Sequence, residues 1–359
     1  MSNIEAVLGQ GEKAILSLRG LYEKYGYKKY KMSKFEKYDL YLENKSFIAG
    51  DRIVTFPDRK GRLLALKPDI TLSIVKNAPR DISGAYKTYY CENVYRAASD
   101  GDDIKEIMQV GIELIGNVDV YSEGEVLTLA ARSLKSISEN SIIGISHMGL
   151  ISAVIAEVGL EGEAASRASK AFADRNIHTL AELCGENSNK AVALAKIYGP
   201  LSEAVSAVKE ICTDDSCTDA IAELEALSCV LRAMGEEDAF VLDFSVSNNM
   251  NYYNGITFQG FIDGIPQSVL SGGRYDSLAK KMGLDCGAIG FAVYPDVLER
   301  FSEGQRGADV DVLLLYGDSD DAAAVALFVE KIKSRGKKVC ALNEKSNCRP
   351  TYKELVHFK

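Results

Sequence analysis

Gln109, Gly111 and Glu113 occupy alternate positions of "MQVGIELIG", so in an extended strand all three face the same side. A carboxamide gives and takes hydrogen bonds and an ionised carboxylate only accepts them. With a glycine between them they make a polar floor with room above it. Glycine weakens a strand, which implies close approach by a ligand or by another backbone. The intervening residues, Met108, Val110, Ile112 and Leu114, are apolar and belong against helices. A solvated outer face would use the same polar residue types, so this strand needs companions before it is a site.

Three other stretches offer them. "LKPDIT" places Asp69 and Thr71 where a strand passes into a helix; they could cap the helix, or Asp69 could accept hydrogen bonds from an ammonium group. "NNMNYYN" (248–254) packs four asparagines with Tyr252 and Tyr253 between two apolar stretches. It reads either as a turn, since Asn tolerates left-handed backbone, or as the polar floor of a small-molecule pocket. "SGGRYD" (271–276) reads as a paired-glycine turn ahead of a helix, admitting a phosphate or serving tight-turn geometry alone.

The elements that position these residues follow from periodicity. Apolar residues at helical spacing predict an amphipathic helix over about 3–25. "RIVTFPDRKGRLLAL" reads as a short hairpin, and "PDITLSIVKNA" as a helix with Pro68 and Asp69 in its first turn. "AYKTYYCENVYRA" and "EIMQVGIELIG" are strands joined by the acidic turn "SDGDD". From Val120 to about Ala239 the composition is helical, and about 150–235 reads as a helical insertion. Strands resume at "AFVLDFSV", "GITFQGFID" and "PQSVLS", and "AIGFAVYPDVLERF" reads as a helix. The expected class is α+β, an antiparallel sheet flanked by helices over 1–305. A βαβ unit follows over 306–359, marginal as a free domain and expected to dock on the core.

Composition narrows the function classes. The hydrophobic fraction of 47% and charged fraction of 26% suit a globular protein, no apolar run reaches spanning length, and the N-terminus lacks signal-peptide order. A cytoplasmic protein with no membrane partner is the expectation. The eight cysteines and three histidines share no ligand spacing, so neither a metal site nor a cofactor is expected. A net charge of −9 argues against a chain whose main task is to hold a polyanion. The exception is "YEKYGYKKYKMSKFEKYDLY" (22–41), with six lysines and six tyrosines. It reads as a solvated lysine face or, less simply, as a nucleic-acid strip.

Taken together, "VYRA…KEIMQVGIELIG", "NYYNGITF", "SGGRYDSL" and "AIGFAV", in this order over about residues 1–300, resemble the histidyl-tRNA synthetases and their relatives. The resemblance implies the class II aminoacyl-tRNA synthetase fold. The C-terminal unit resembles only the opening βαβ of those enzymes' anticodon-binding domain, a complete copy of which would need roughly twice the residues. By the same resemblance Asp69, Thr71 and Gln109 match positions that hold the α-ammonium group of histidine. Glu113 and Tyr253, with Tyr252 beside it, match the imidazole contacts, Tyr275 a further pocket tyrosine, and Arg96 the cation facing the ligand carboxylate.

The departures fall on the adenylation chemistry. Asn248 stands where the synthetases have a catalytic arginine, Ala98 where they have an ATP-side glutamate, and Val297 where an ATP-binding arginine is expected, with Arg300 nearly a turn further on. Pre-placed cations supply most of the stabilisation in such phosphate chemistry. A histidine pocket without them resembles the regulatory subunits of ATP phosphoribosyltransferase. That resemblance implies a non-catalytic, allosteric subunit in histidine biosynthesis, self-associating through its core. It further implies a hetero-oligomer with the short catalytic subunit, L-histidine as ligand and no tRNA. A divergent histidyl-tRNA synthetase and a free-standing histidine sensor are the alternatives.

Overall fold

A computed structural model describes residues 8–48, 53–97, 103–185, 188–246, 252–302 and 308–358. The chain divides into two compact units, Met1–Glu299 and Arg300–Lys359. Helix α1 (Gln10–Lys24) is followed by β1 (Lys28–Lys29), β2 (Phe35–Lys37), α2 (Tyr38–Glu43), β3 (Thr55–Pro57), β4 (Leu63–Leu66) and α3 (Thr71–Asn77). Two long strands, β5 (Ala85–Ala97) and β6 (Ile104–Gly116), lead to α4 (Val120–Lys135) and β7 (Ser141–His147). A helical block comes next: α5 (Met148–Glu157), α6 (Gly162–Ala173), α7 (Ile177–Cys184), α8 (Ser188–Ala195), the short β8 (Tyr198–Pro200), α9 (Leu201–Ile211) and α10 (Asp215–Ala233). The unit finishes with β9 (Phe240–Asp243), β10 (Ile256–Ile262), β11 (Leu270–Arg274), α11 (Asp276–Lys281), β12 (Gly287–Val293) and α12 (Pro295–Ser302).

Nine strands form one sheet in the order β1-β5-β6-β12-β11-β10-β7-β9-β8. One face carries the larger core, where Val110, Ile112 and Leu114 of β6 meet Leu18 and Tyr22 of α1 and Val126, Leu127 and Ala130 of α4. Asp119 starts α4 by accepting the Ser122 N–H at 2.8 Å, a cap of the kind that offsets unpaired first-turn donors. A second core on the other side gathers Tyr41, Ile70, Leu72, Val75 and Tyr275. The small sheet β2-β4-β3 lies in the N-terminal part of this unit. Of the basic stretch, Tyr22, Tyr27 and Tyr41 are buried while its lysines are exposed. Those tyrosines are core residues, which favours the solvated lysine face over base stacking.

The structure corrects several local expectations. The sheet is antiparallel from β5 to β7 but mixed overall, because β1 runs parallel to β5 and β7 parallel to β9. "SGGRYD" is not a turn: Gly272 and Gly273 lie inside β11, where a Cβ on Gly273 would stand 2.6 Å from the Tyr253 ring. "AIGFAV" is strand β12, not helix, paired on both sides with β6 and β11. The helical stretch after Val120 hides strands β7 and β8, and "AFVLDFSV" yields only the four residues of β9. Helix α3 begins at Thr71 rather than at Pro68. Val297 packs against the larger core. Asn248, Ala98, most of "SDGDD" and the side chain of Arg300 lie outside the described residues.

The second unit contains β13 (Val310–Tyr316), α13 (Ala322–Lys333), β14 (Val339–Asn343) and β15 (Tyr352–His357). β13 is central and parallel to both neighbours. The expected βαβ therefore gains a third strand, β15, which sequence reading passed over.

Candidate functional site

Register builds the site. β6 presents Gln109, Gly111 and Glu113 on one face; β5 sets Glu92, Tyr90 and Thr88 directly opposite them, and β12 sets Ala292 opposite Gly111 and Gly290 opposite Glu113. One strand further, Ser271 and Gly273 of β11 pair with Ala292 and Gly290. Four strands thus give one continuous polar face above which lies a cavity of about 290 Å³, close to the smaller end of small-molecule sites. Gly111 is obligatory for a plain reason: a Cβ there would stand 2.0 Å from the Phe291 carbonyl and 2.6 Å from the Tyr90 hydroxyl. The close approach that the sequence implied comes from a neighbouring strand and a tyrosine.

The segment before α3 forms one wall. Its backbone is tied to β5 by the Tyr95 N–H donating to the Lys67 carbonyl at 2.9 Å. The buried Lys67 ammonium adds an ion pair to Glu92 at 2.6 Å. Asp69 then serves both of the roles open to it. Its Oδ1 accepts the Leu72 N–H at 2.8 Å, capping α3, and the same residue lines the cavity. Part of its surface opens into the cavity, yet protein surrounds it closely enough that burial raises its carboxyl above the usual range. The Leu72 N–H and the Arg96 charge oppose that rise. Arg96 donates from Nε to the Pro68 carbonyl at 3.1 Å and forms no ion pair among the described residues.

Glu113 sits at the bottom, 2% exposed. Thr71 Oγ1 donates to its Oε1 at 2.8 Å and the Tyr275 hydroxyl to its Oε2 at 2.5 Å. Burial pushes its carboxyl up to about 8, those two hydrogen bonds hold it down and nearby Asp69 adds to the rise. Burial therefore favours the protonated form of Glu113 at neutral pH. Tyr252, Tyr253 and Tyr275 complete the enclosure. The rings of Tyr252 and Tyr253 meet edge-on at 4.8 Å and those of Tyr252 and Tyr275 lie 5.8 Å apart. Burial, with the nearby carboxylates, raises all three phenols well above their ordinary range, so they remain hydrogen-bond donors.

All eight residues singled out from sequence, Asp69, Thr71, Arg96, Gln109, Glu113, Tyr252, Tyr253 and Tyr275, line this one cavity. Sequence reasoning missed Phe47, Tyr90, Ser271 and Tyr294. Tyr90 was within reach, because it shares the parity of Thr88 and Glu92 on β5, but its face depends on the β5–β6 register. Ser271 and Tyr294 share a 2.6 Å hydrogen bond; Ser271 opens the quoted "SGGRYD", where attention fell on the glycines, and Tyr294 had no sequence signal. The Gln109 carboxamide, 5% exposed, makes no hydrogen bond to the described residues and is free for a ligand. Among the described lining residues there are two carboxyl groups, Asp69 and Glu113, and one cation, Arg96. Such a set suits a small zwitterion with further hydrogen-bonding nitrogen, and suits a polyphosphate poorly.

Comparison with known proteins agrees with this architecture. A family model described as histidyl-tRNA synthetase matches residues 8–298. The ATP phosphoribosyltransferase regulatory subunit of Thermoanaerobacter sp. is 30% identical over 291 residues, covering 77% of this chain and 74% of the relative. The crystal structure of an ATP phosphoribosyltransferase regulatory subunit/histidyl-tRNA synthetase from Bacillus halodurans superposes with a TM-score of 0.75 at 22% identity, covering 97% of this chain and 93% of that one. A chain of the ATP phosphoribosyl transferase (HisG:HisZ) complex from Thermotoga maritima superposes with a TM-score of 0.63 at 18% identity, covering 79% and 97%. The two structures share the fold. The chain belongs to the histidyl-tRNA synthetase family and, within it, to the ATP phosphoribosyltransferase regulatory subunits.

Proposed function

We propose that this chain is the non-catalytic regulatory subunit of an ATP phosphoribosyltransferase and that its cavity binds L-histidine as the feedback ligand. The charge balance of the cavity carries this reading: among the described lining residues, two carboxyl groups and a free carboxamide stand against a single cation, Arg96. In the proposed pose Asp69, Thr71 and Gln109 receive the ammonium group and Arg96 the carboxylate. Glu113, Tyr253 and Tyr275 take the imidazole, with Tyr252 closing over it. An adenylating site would need cations for the phosphates of ATP. Val297 stands on the core where the synthetases carry one of them, which supports loss of synthetase chemistry.

The partner in this reading is the short catalytic subunit, as the relatives' name and the assembled Thermotoga complex suggest. The chain would self-associate through its synthetase-like core, bind no tRNA and work in the cytoplasm. Among the described residues no helix is long and apolar enough to cross a membrane. Feedback requires that histidine bind two states of the assembly with different affinity, a coupling of about 1–3 kcal/mol in typical cases.

The test is phosphoribosyl-ATP formation by the catalytic subunit of the same organism, with and without this chain, across a histidine titration. Activity that requires the chain and falls as histidine rises is the expected result. Histidine-dependent ATP–pyrophosphate exchange, with no effect on a competent catalytic subunit, would replace the proposal with the divergent synthetase. Histidine binding without either activity would leave a free-standing sensor.

A second expectation concerns Asp69. Asn caps a helix about as well as Asp, so Asp69→Asn should change unfolding free energy by less than about 1 kcal/mol. Loss of a charge-assisted hydrogen bond, about 1.5–3 kcal/mol, should weaken histidine binding roughly 10- to 100-fold by titration calorimetry. Unchanged affinity would reduce Asp69 to a cap.

A further inference from the structure

Behind the cavity, on the helix side of the sheet, lies a second polar cluster that takes no part in lining it. Arg274 is its centre. Its neighbours in sequence, Gly273 and Tyr275, face the cavity side, so its own side chain points the other way. Nη1 donates to Glu123 Oε1 of α4 and Nε to Asp276 Oδ2 of α11, each at 2.9 Å. Asp276 in turn accepts the Ala288 N–H of β12 at 2.9 Å.

Arg274 also underlies the turn that carries two of the cavity tyrosines. Its carbonyl accepts the Asn254 N–H at 3.0 Å. Its side chain packs so closely on Gly255 that a Cβ there would come within 3.0 Å of Cδ. The turn that sets Tyr252 and Tyr253 therefore rests on Arg274, and Tyr275, the next residue, holds Glu113.

The cluster behind Arg274 is under-satisfied. Glu123 Oε2, Glu223 Oε1, His147 Nε2 and Ser146 Oγ are all buried without a hydrogen-bond partner among the described residues. Glu123 and Glu223 are close enough to perturb each other's ionisation. An ionised carboxylate only accepts, so a proton on Glu123 would give its unpartnered oxygen a hydrogen to donate. His147 Nδ1 accepts the Leu150 N–H at 3.1 Å, which leaves the proton on Nε2, 3.5 Å from Glu223 Oε2. Among the described residues no three of these groups are arranged to hold a metal ion.

We propose that Arg274 is a positioning residue of the ligand cavity and that protonation of its buried partner Glu123 sets how firmly it is held. The inference rests on the cavity being the histidine site. The groups facing Arg274 and its partners are Glu123 on α4, Asp276 on α11, Glu223 on α10 and His147 at the end of β7. Burial and the neighbouring Glu223 push the Glu123 carboxyl well above the usual range, against the pull of Arg274. As pH falls through neutrality Glu123 takes up a proton and loses its charge, and Arg274 exchanges a charged partner for a neutral one. The turn bearing Tyr252 and Tyr253 then loosens.

The experiment is calorimetric titration of the full chain with L-histidine at several pH values around neutrality, with thermal melts as a check of folding. Glu123→Gln should remove a step in affinity that the unaltered chain shows as pH falls. Arg274→Met is made together with Glu123→Gln, so that Glu123 is not left as a buried unpaired charge, and should bind histidine roughly tenfold more weakly. Arg274→Lys should recover part of the affinity, which a general loss of packing would not predict. If Glu123→Gln follows the unaltered pH profile, or the double variant binds as tightly as the unaltered chain, Arg274 is structural only. An unaltered chain that binds no histidine would overturn the ligand reading, and this inference with it.

Discussion

Exchanging Glu113 for glutamine is expected to raise the melting temperature above neutral pH while weakening histidine binding roughly 10- to 100-fold. The two effects have one origin. Burial pushes the carboxyl up to about 8, against an ordinary value of 4.5. Between those values the folded chain holds a proton that the unfolded chain has released. The stability that goes with the raised value is fully present below about 4.5 and is lost as pH climbs towards 8, at about 1.4 kcal/mol per unit at most. Glutamine carries no titrating proton and escapes the loss. It can still accept from Thr71 and donate to the Tyr275 oxygen, so the geometry at the cavity floor is kept. What it cannot do is become an anion opposite an imidazole N–H. Melts of both chains should coincide near pH 4.5 and diverge as pH rises, with the glutamine chain more stable. Parallel curves across the whole range would mean that Glu113 ionises in the folded chain as it does in the unfolded one.

The substitution with the largest expected cost is Gly290→Ala. A Cβ there would stand 1.8 Å from Glu113 Oε2 and 2.4 Å from the Ile112 carbonyl. The carboxylate could swing away only by abandoning Thr71 and Tyr275, and the carbonyl belongs to a strand paired on both sides. Overpacking of a well-filled interior costs about 1–3 kcal/mol and more where backbone must move, so about 3 kcal/mol or more is expected here. Urea denaturation should show the midpoint falling with little change in slope, and histidine binding should be lost in whatever fraction stays folded. Gly199→Ala is the control, because a Cβ at that position on β8 meets nothing within 4 Å. Its effect should stay within about 0.5 kcal/mol. Equal effects at the two glycines would mean that the space around Gly290 is more forgiving than the geometry shows.

The parts of the site legible in the sequence were those governed by local periodicity. Alternation along β6 put Gln109, Gly111 and Glu113 on one face without any knowledge of their neighbours. Asp69 was legible as a cap or as a ligand, and the structure makes it a cap that also faces the cavity. What was not legible depended on tertiary pairing. "AIGFAV" is a short apolar run, and such runs fit a buried strand or a buried helix equally well; β6 and β11 on either side make it a strand. The two glycines of "SGGRYD" suggested a turn because isolated glycines usually serve turns. Here they clear space for Tyr253 and for β12. β7 was concealed between α4 and α5, whose helical composition dominated any longer window. Tyr90 depended on the register of the β5–β6 hairpin, which its own sequence does not reveal.

The two faces of β6 leave a record that could be read without any ligand at all. Gln109 and Glu113 line the cavity, while Val110, Ile112 and Leu114 belong to the larger core. Tolerance to substitution should therefore come in stripes along this strand, one residue wide. Changes at even positions would lower the amount of folded chain whatever the cell is doing. At the flanking polar positions they would pass unnoticed in rich medium and emerge when metabolic control is under selection. A single strand would thus carry two independent histories, interleaved residue by residue, one of folding and one of use.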